Sequence, residues 1–597
     1  MPSTRGFLNI HLHAHLPFVV NHGTWPHGLE WLHEAAAETY LPLLQVLQRL
    51  AADGIRARWS MDLSPVLLEQ LAHPVFLREF PDYLRRKIQF AQEDESFFAQ
   101  AGEGHLRWLA QGWQQRYQAA LTLFESLNCD LIAAFRAHAE SGSIDLMTCA
   151  ATHGYMPLLG TDESVRAQWR VATAVHRRHF GAAPAGVWLP ECGYRPAGYW
   201  QVPLLPDVDP RAYPGFHRIG VESALAESSL GFFYADGHLI EQSAQFASPY
   251  SNMMTGDLPS APPAAGGTDK LYRAWAVQGS DGPSGVAVLP RDPRTGYQVW
   301  SGDGGYPADG VYLDFHKKRW PGGHRYWRVT GPGVAMDQKH AYQPDAAAKQ
   351  AREHARHFIG LVTDSIQGAA SVWRDPLVAA PFDAELFGHW WNEGVIFLEE
   401  VTRLLAAADT ATEADTTTAA PSAVTAFAPR LVTSADYLHR EGTAAPLRLP
   451  EGSWGAGGDH RVWLNQDTSW TYARIYAAEH ALRDLCTDGA WRDGGLGERL
   501  AKQMCRELLL LESSDWQFLM TTGAARDYAE RRFREHDEAF GQLHRLWQVW
   551  RDVGALEAPA LETLAAIESQ DSLFPEVNPE FWVRGAHAEP VDAPGRQ

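Results

Sequence analysis

The first 400 residues repeat one local pattern: an apolar run, a polar or aromatic residue at its end, and then a helical stretch. The pattern starts at residues 7–20, and its strand ends read "HLHAHLPF", "RWSMDLSP", "DLMTCAATHGY", "GVWLPECGY", "GVAVLPRDP", "GVYLDFHKK" and "PFDAELFGHWW". Alternating strands and helices predict a parallel sheet with helical crossovers. In parallel barrels the carboxyl ends of the strands form the active-site face, so we expect these polar and aromatic side chains to gather there.

A chain of 597 residues is too long for one ordinary core and should divide into parts. Pro, Gly and Ser in one stretch predict an inserted lid, and a low-complexity run at 406–423 predicts a linker. The predicted parts are catalytic residues 1–199 and 271–400, an inserted subdomain or lid at 200–270, a linker or insertion at 401–465, and a helical domain at 466–580.

The amino-acid composition argues against some classes of binding partner. The net charge is −21, from 51 basic and 72 acidic residues, which argues against a nucleic-acid or anionic-membrane binder. The 23 Trp residues fit either a Trp-rich core or a sugar-binding site, because indole faces stack on the apolar faces of pyranose rings.

The sequence predicts neither a targeting signal nor a membrane span. The five Cys are scattered and form neither a disulfide framework nor a zinc motif. The N-terminal stretch does not resemble a signal peptide, and no run of about 18 apolar residues predicts a membrane span. We therefore expect a cytoplasmic protein.

Two carboxylates stand in unusual settings. Glu191 follows the apolar run "GVWLP", with Trp188 and Tyr194 as expected walls, and Asp383 follows a Pro-Phe turn. Retaining glycosyl transfer needs such a pair roughly 5–5.5 Å apart, one ionised and one protonated. Aromatic surroundings can keep one member protonated near neutral pH. From the residues alone, a helix-capping or ion-paired role stays open for each.

A group of histidines points to a different kind of site, one that could bind a metal. His11, His13 and His15 share one face if the strand extends that far, and "ATHGY" adds His153. Several imidazoles on one face can bind zinc, or they can hydrogen-bond sugar hydroxyls and buried carbonyls. No clear carboxylate ligand accompanies them in the sequence, so we predict no metal.

Further binding candidates lie in loop-like stretches rather than in helical stripes. They are Arg273 and Trp275 in "YRAWAV", Trp454 in "EGSWG", and Asp515 in "ESSDWQF". Trp391, in "FGHWW", is a further candidate substrate contact.

Five of these motifs occur in order between about residue 7 and residue 530: "HLHAHLPFV", "LMTCAATHGYMP", "GVWLPECGY", "PFDAELFGHWWNEG" and "LLLLESSDWQFLMTTG". Together they resemble glycoside hydrolase family 57, most closely its 1,4-α-glucan branching enzymes. The resemblance implies an α/β fold: a distorted (β/α)7 barrel with an inserted subdomain and a C-terminal all-helical domain that closes over the cleft.

The resemblance also implies residue roles in a retaining reaction. Glu191 corresponds to the nucleophile and Asp383 to the general acid/base. The residues that correspond to substrate-binding positions are His13, His153, Trp25, Arg273, Trp454 and Asp515, and we add His15 and Trp188 as neighbours.

The sequence departs from the family pattern at two points. Pro290 stands where the family has a Gly before Arg-Asp, and Ala524 stands where it has a Gln that would contact substrate. Both departures concern the acceptor side. A lid tyrosine is expected near 236–262, where Tyr250 is the candidate.

The resemblance thus predicts a cytoplasmic enzyme of glycogen biosynthesis that acts on α-glucan without a cofactor, as a monomer or homodimer. An α-amylase or a 4-α-glucanotransferase on the same scaffold is the near alternative. A metal-dependent, deacetylase-like hydrolase using the histidines and a glucan-binding protein with an inactive site are alternatives from other classes.

Overall fold

The computed structural model describes residues 6–203, 205, 213, 215–241, 269–280, 282–414 and 428–585. Its strands are β1 (Phe7–Ala14), β2 (Trp59–Leu63), β3 (Ile144–Met147), β4 (Gly198–Trp200), β5 (Phe216–Arg218), β6 (Phe232–Asp236), β7 (Trp275–Gly279), β8 (Gly282–Arg291), β9 (Lys318–Arg319), β10 (His324–Arg325), β11 (Leu377–Asp383), β12 (Arg430–Leu431) and β13 (Ala444–Leu447).

The helices of the catalytic part are α1 (Leu29–Ala35), α2 (Leu41–Ala52), α3 (Pro65–Ala72), α4 (Pro74–Gln100), α5 (Gly104–Ser126), α6 (Leu131–Glu140), α7 (Asp162–Phe180), α8 (Val221–Glu227), α9 (Gly237–Glu241), α10 (Pro293–Trp300), α11 (Pro344–Ala369), α12 (Gly394–Ala414) and α13 (Ser434–Glu441). Those that follow are α14 (Ser469–Asp488), α15 (Leu496–Leu511), α16 (Asp515–Thr522), α17 (Arg526–Val553) and α18 (Ala558–Gln570). None of the helices described here is long and apolar enough to span a membrane.

Parallel strands close into a barrel. β1 lies between β11 and β2, β2 pairs with β3, and β8 pairs with both β6 and β11. Val187 alone closes the gap between β3 and β6, bridging Thr148 on one side and Phe233 on the other. The ring formed by the described residues therefore has seven positions, one of them reduced to a single bridge. The distorted (β/α)7 barrel predicted from the sequence is confirmed.

The strand predicted at "GVWLP", directly before Glu191, is reduced to this bridge at Val187. Pro190 has no N–H for a sheet ladder, and Glu191 and Cys192 adopt left-handed φ angles of 60° and 49°. The chain turns as a short 3₁₀ segment, Pro190–Cys192, instead of extending the sheet. This turn places Glu191 at the mouth of the barrel.

The strand predicted at 310–318 is wrong. Only its last residue enters a strand, the short β9, which pairs with β10 away from the barrel. The Asp309 and Asp314 carboxylates accept the backbone N–H groups of Val311 and His316 at 3.0 Å, and these local bonds replace a sheet ladder.

Residues 401–465 are not a linker where the structure describes them. α12 continues to Ala414, β12 pairs with β1, and β13 pairs with β7. Ser434 N donates to Ser60 Oγ at 2.9 Å, so the start of α13 packs into the barrel. Residues 415–427, which hold the rest of the low-complexity run, lie outside the described part.

The predicted insertion at 200–270 also differs in the structure, because β6 within it is a barrel strand. β4 and β5 form a separate antiparallel pair. Tyr250, the candidate lid residue, lies outside the described residues, so its prediction stays untested.

The helical region meets the barrel at its mouth. Ser514 N, between α15 and α16, donates to the His153 carbonyl at 3.1 Å, and Gln168 Nε2 donates to Glu512 Oε2 at 2.8 Å. The α15–α16 connection is therefore part of the rim of the barrel.

Candidate active site

Glu191 is held at the barrel mouth by donors from two distant segments. Trp454 Nε1 donates to Glu191 Oε2 at 2.7 Å, and Trp454 N donates to the Glu191 carbonyl at 3.0 Å. Ser514 Oγ lies 3.3 Å from Glu191 Oε1 and donates to it when the carboxyl is ionised. Burial raises the pKa of Glu191 to about 7, although these hydrogen bonds oppose the shift.

Backbone strain is concentrated around this carboxyl. Glu191, Cys192 and His153 all have positive φ, a conformation that costs non-glycine residues energy. Glu191 and His153 both line one cavity. Strain of this kind is kept where the surrounding structure imposes a particular side-chain position, which fits a functional site.

Asp383 ends β11 and lies beside His13 in the sheet register. Its Oδ1 is buried and has no hydrogen-bond partner among the described residues. Burial, together with the nearby Glu385 and Glu191, raises the pKa of Asp383 well above its usual range. Asp383 is thus suited to carry a proton.

The two carboxyls therefore have opposite environments. Glu191 has two hydrogen-bond donors that favour its ionised form, whereas Asp383 Oδ1 has none among the described residues. When two titratable groups lie in environments that give them different pKa values, one can act as the acid and the other as the nucleophile. The arrangement can support a reaction with one charged and one protonated carboxyl.

Three histidine rings stack beside this pair. The His15 and His153 ring centroids are 4.1 Å apart, and those of His13 and His153 are 5.1 Å apart. His13 Nδ1 lies 2.8 Å from Asp62 Oδ2, and His15 Nδ1 lies 2.8 Å from Ser64 Oγ. The rings form one polar wall of the cavity.

Asp515 and His15 form an ion pair in this wall. Their closest atoms, His15 Nε2 and Asp515 Oδ2, are 3.0 Å apart. Burial alone would raise the pKa of Asp515, but the charge and hydrogen bond of His15 lower it to about 2. Burial would lower the pKa of His15, but Asp515, with Glu385 and Glu191, raises it.

A metal fits these histidines poorly. The ligand atoms of two groups converge, His13 with Cys149 and His153, and His15 with His153 and Asp515. The imidazole nitrogens in both groups already hydrogen-bond to side chains. The Cys149 thiol has a pKa raised well above its usual range by burial, which disfavours the thiolate that zinc requires. No step of the reaction below depends on a metal.

One cavity of about 1370 Å³ contains most of the predicted site. The predicted residues that line it are His13, His15, Trp25, His153, Glu191, Asp383, Trp454 and Asp515. Ala524, one of the two departures from the family pattern, also lines it. Pro290, the other departure, pairs with Ala235 inside the barrel sheet.

Four predicted substrate contacts do not line the cavity, and two of them, Trp188 and Trp391, are buried. Trp188 is fully buried beneath its floor, stacked on His11 and His13, with its ring 4.9 Å from that of Trp454. Trp391 is buried against Tyr312. Both side chains can therefore pack against residues of the site but cannot contact a substrate in the cavity.

Arg273 and Trp275 were predicted in the site, but the structure turns them elsewhere. β7 pairs antiparallel with β8 and lies outside the seven-membered ring. Arg273 Nη2 donates to the Glu441 carbonyl at the end of α13, at 2.6 Å, and Trp275 packs on Trp373. The antiparallel pairing of β7 was not foreseen, and it removes both side chains from the cavity.

Several cavity residues were missed. Arg291, at the end of β8, lies 5.3 Å from the ring of Trp454 and donates to Asp236 Oδ2 at 2.8 Å. Other missed aromatic and acidic lining residues include Trp300, Trp320, Glu385, Trp390 and Phe518. Arg291 stands at a predicted strand end, and Trp320 repeats the Trp-Pro pair of Trp25, so both had a usable sequence signal.

Two family models match the chain. The model of glycosyl hydrolase family 57 matches residues 9–423, and a model described as the C-terminal region of 1,4-alpha-glucan branching enzyme matches residues 474–582. The chain belongs to glycoside hydrolase family 57. The first match covers the barrel and its insertions, and the second covers most of α14 to α18.

Family 57 relatives align over nearly the whole chain. A 1,4-alpha-glucan branching enzyme of Thermococcus kodakarensis is 36% identical over 573 residues, covering 96% of this chain and 77% of the relative. The crystal structure of a family 57 branching enzyme from the same organism has a TM-score of 0.83 at 35% identity, covering 99% of this chain and 100% of that one. The alpha-amylase AmyC of Thermotoga maritima has a TM-score of 0.75 at 28% identity, covering 97% and 99%.

Proposed function

We propose that this protein is a 1,4-α-glucan branching enzyme that works by a retaining double displacement. Glu191 attacks the anomeric carbon of an α-1,4 bond while Asp383 protonates the leaving oxygen, which gives a β-glycosyl-enzyme. Asp383 then removes the proton from the 6-hydroxyl of a glucan acceptor, and that oxygen displaces Glu191. The product carries an α-1,6 branch and has the original anomeric configuration.

The observation that carries this proposal is the pair of opposite carboxyl environments in one cavity. Glu191 accepts the Trp454 indole N–H and faces the Ser514 hydroxyl, while Asp383 Oδ1 is buried and has no hydrogen-bond partner among the described residues. A nucleophile must be ionised and a general acid must be protonated, so these surroundings favour the roles given above.

Exposed aromatic side chains at the rim of the cavity favour a long sugar chain as the substrate. Trp25, Trp320, Trp390 and Phe518 line the cavity, and between 41% and 65% of each side chain is exposed to solvent. Exposed aromatic faces are costly unless a partner covers them, and pyranose rings stack on such faces. These four residues are proposed platforms for the donor or the acceptor chain.

An α-amylase activity is the second candidate, favoured by the similarity to AmyC. Both reactions form the same glycosyl-enzyme, and they differ in whether water or a glucan hydroxyl attacks it. Transfer prevails when the acceptor hydroxyl is held in place and water is excluded.

Incubation with amylose tests the choice. We expect proton NMR to show new α-1,6 anomeric signals while reducing ends rise little. Accumulation of reducing ends without α-1,6 signals would instead establish hydrolysis. The Glu191→Gln variant is the control for activity that arises elsewhere.

Replacing Trp454 by Phe tests how the nucleophile is kept ionised. Burial dominates the raised pKa of Glu191, and the indole hydrogen bond lowers that pKa by stabilising the carboxylate. Losing this bond raises the pKa further, so the acid limb of kcat/KM should move to higher pH, by about 0.5 to 1 unit. Trp300→Phe is the matched control, because Trp300 lines the same cavity without bonding to Glu191. An unmoved limb in Trp454→Phe would contradict this account.

The proposal includes a place in glycogen synthesis within the cytoplasm. The five Cys are all free thiols and four of them are buried, as suits a reducing compartment. An acceptor with free 6-hydroxyls, such as a linear α-1,4-glucan, is the expected partner.

A further inference from the structure

A continuous line of polar contacts runs from Glu191 into the barrel wall. Ser514 Oγ lies 3.3 Å from Glu191 Oε1 and 2.8 Å from His153 Nδ1. His153 Nε2 lies 3.2 Å from His13 Nε2, and His13 Nδ1 lies 2.8 Å from Asp62 Oδ2. Asp62 is fully buried on β2. The line therefore has a carboxyl group at each end.

The two imidazoles in the middle restrict how protons can be arranged. Burial lowers the pKa of His13 and of His153 well below the usual range, so both rings are neutral and each carries one N–H. Their Nε2 atoms face each other, so one must donate and the other must accept. The proton position on one ring consequently fixes the proton position on the other.

Two arrangements satisfy every contact. In the first, a protonated Glu191 donates to Ser514, Ser514 to His153, His153 to His13, and His13 to an ionised Asp62. In the second, all directions reverse: a protonated Asp62 donates to His13, and Ser514 donates to an ionised Glu191. The two arrangements contain the same number of protons.

We propose that Asp62, His13, His153 and Ser514 form a proton relay through which Glu191 passes its proton to Asp62 and becomes the ionised nucleophile. Four protons each move across one hydrogen bond. Glu191 loses one proton, Asp62 gains one, and the rings and the hydroxyl stay neutral. This inference rests on the proposed function, since it takes Glu191 as the nucleophile. Asp62 and Ser514 act as positioning residues.

The two ends of the line have similar affinity for the proton. Burial raises the pKa of Glu191 to about 7 and the pKa of Asp62 to about 6, and the close approach of His11 to Asp62 opposes the second shift. Neither carboxyl group binds the proton much more strongly than the other, so Glu191 and Asp62 titrate as one coupled pair. The other titratable groups that face the line are His11 of β1, His15 just after β1, Cys149 after β3, Asp383 at the end of β11, Glu385 just after it, and Asp515 of α16.

Asp62→Asn tests the relay through the pH dependence of fluoride release from α-maltosyl fluoride. Fluoride leaves without a proton, so this substrate reports the ionisation of Glu191 rather than that of Asp383. An asparagine whose oxygen faces His11, 2.8 Å away, presents its NH₂ group to His13 and locks the second arrangement. Glu191 then no longer competes for a shared proton, and the acid limb of kcat/KM should move to lower pH by about one unit.

Asp145→Asn is the matched control. Asp145 lies on the neighbouring strand β3, and burial likewise raises its pKa to about 6, but it is not in the line. Its substitution should leave the limb in place. If Asp62→Asn gives a limb at the wild-type pH, the relay is wrong.

Ser514→Ala separates a relay from a through-space charge effect. This variant removes the donor to ionised Glu191, so its acid limb should move to higher pH, and Ser514→Thr should restore it. In the Ser514→Ala background, Asp62→Asn should shift the limb by less than about 0.3 unit, because the line is already cut. The same shift in both backgrounds would overturn the relay. Absence of fluoride release by the wild type would overturn the proposed function itself.

Discussion

Glu191→Gln should lower glucan transfer by at least about three orders of magnitude, because it removes the atom that forms the glycosyl-enzyme. Gln keeps the size of the side chain and can still accept the Trp454 indole N–H, so the cavity should keep its shape. Chain-transfer rates on amylose and fluoride release from α-maltosyl fluoride provide the measurement. Loss of both, with amylose binding retained, is the expected result.

The same variant should fold well. Burial raises the pKa of Glu191 from 4.5 to about 7, so the folded state favours the protonated form. Ionisation of Glu191 therefore costs stability as pH rises from 4.5 through 7, a cost that Gln does not carry. At pH 8 the Tm of Glu191→Gln should equal or exceed that of the wild type. A variant that is inactive because it is unfolded would instead show a lower Tm.

Asp383→Ala should lower turnover of amylose by about 10² to 10⁴ and leave the first turnover of fluoride release, seen as a burst of about one equivalent per enzyme, much less affected. Fluoride needs no general acid, whereas a glucan leaving group does. The glycosyl-enzyme should then persist, because no base activates the acceptor.

Azide distinguishes the two carboxyl roles by stereochemistry. With Asp383→Ala, azide displaces Glu191 from the β-glycosyl-enzyme and should give the α-glycosyl azide. With Glu191→Ala, azide takes the place of the nucleophile on α-maltosyl fluoride and should give the β-azide. The opposite pair of products would exchange the roles assigned to the two residues.

The alternation of strands and helices and the two candidate carboxyls were accessible from sequence because both depend on local pattern, whereas the seven-membered barrel was implied by the family resemblance. Apolar runs that end in polar residues located β1, β2, β3, β8 and β11 and placed Asp383 at a strand end. Glu191 stood out because Pro190 and the residues around it interrupt such a run. These features depend on a few neighbouring residues.

The errors came from features that neighbouring residues do not specify. Trp390 and Trp391 are adjacent, yet Trp390 is 43% exposed and lines the cavity, while Trp391 is buried. Arg273 precedes β7 and Arg291 ends β8; β8 joins the barrel through its parallel pairing with β6 and β11, whereas β7 pairs antiparallel with β8 and lies outside the ring. Likewise, the strand pairing of β12 and β13 could not be inferred from a stretch that begins as a low-complexity run.

The groups that hold the Glu191 carboxylate come from chain positions far apart, Trp454 and Ser514, on opposite sides of α14 and α15. No contiguous stretch of the chain therefore contains both the Glu191 carboxyl and the two side chains that hydrogen-bond to it. Chimeras that exchange only the barrel between distant relatives would combine one parent's carboxyl with another parent's donors. Crossovers that move residues 186–194, 452–454 and 513–515 together should retain activity far more often than crossovers that separate them.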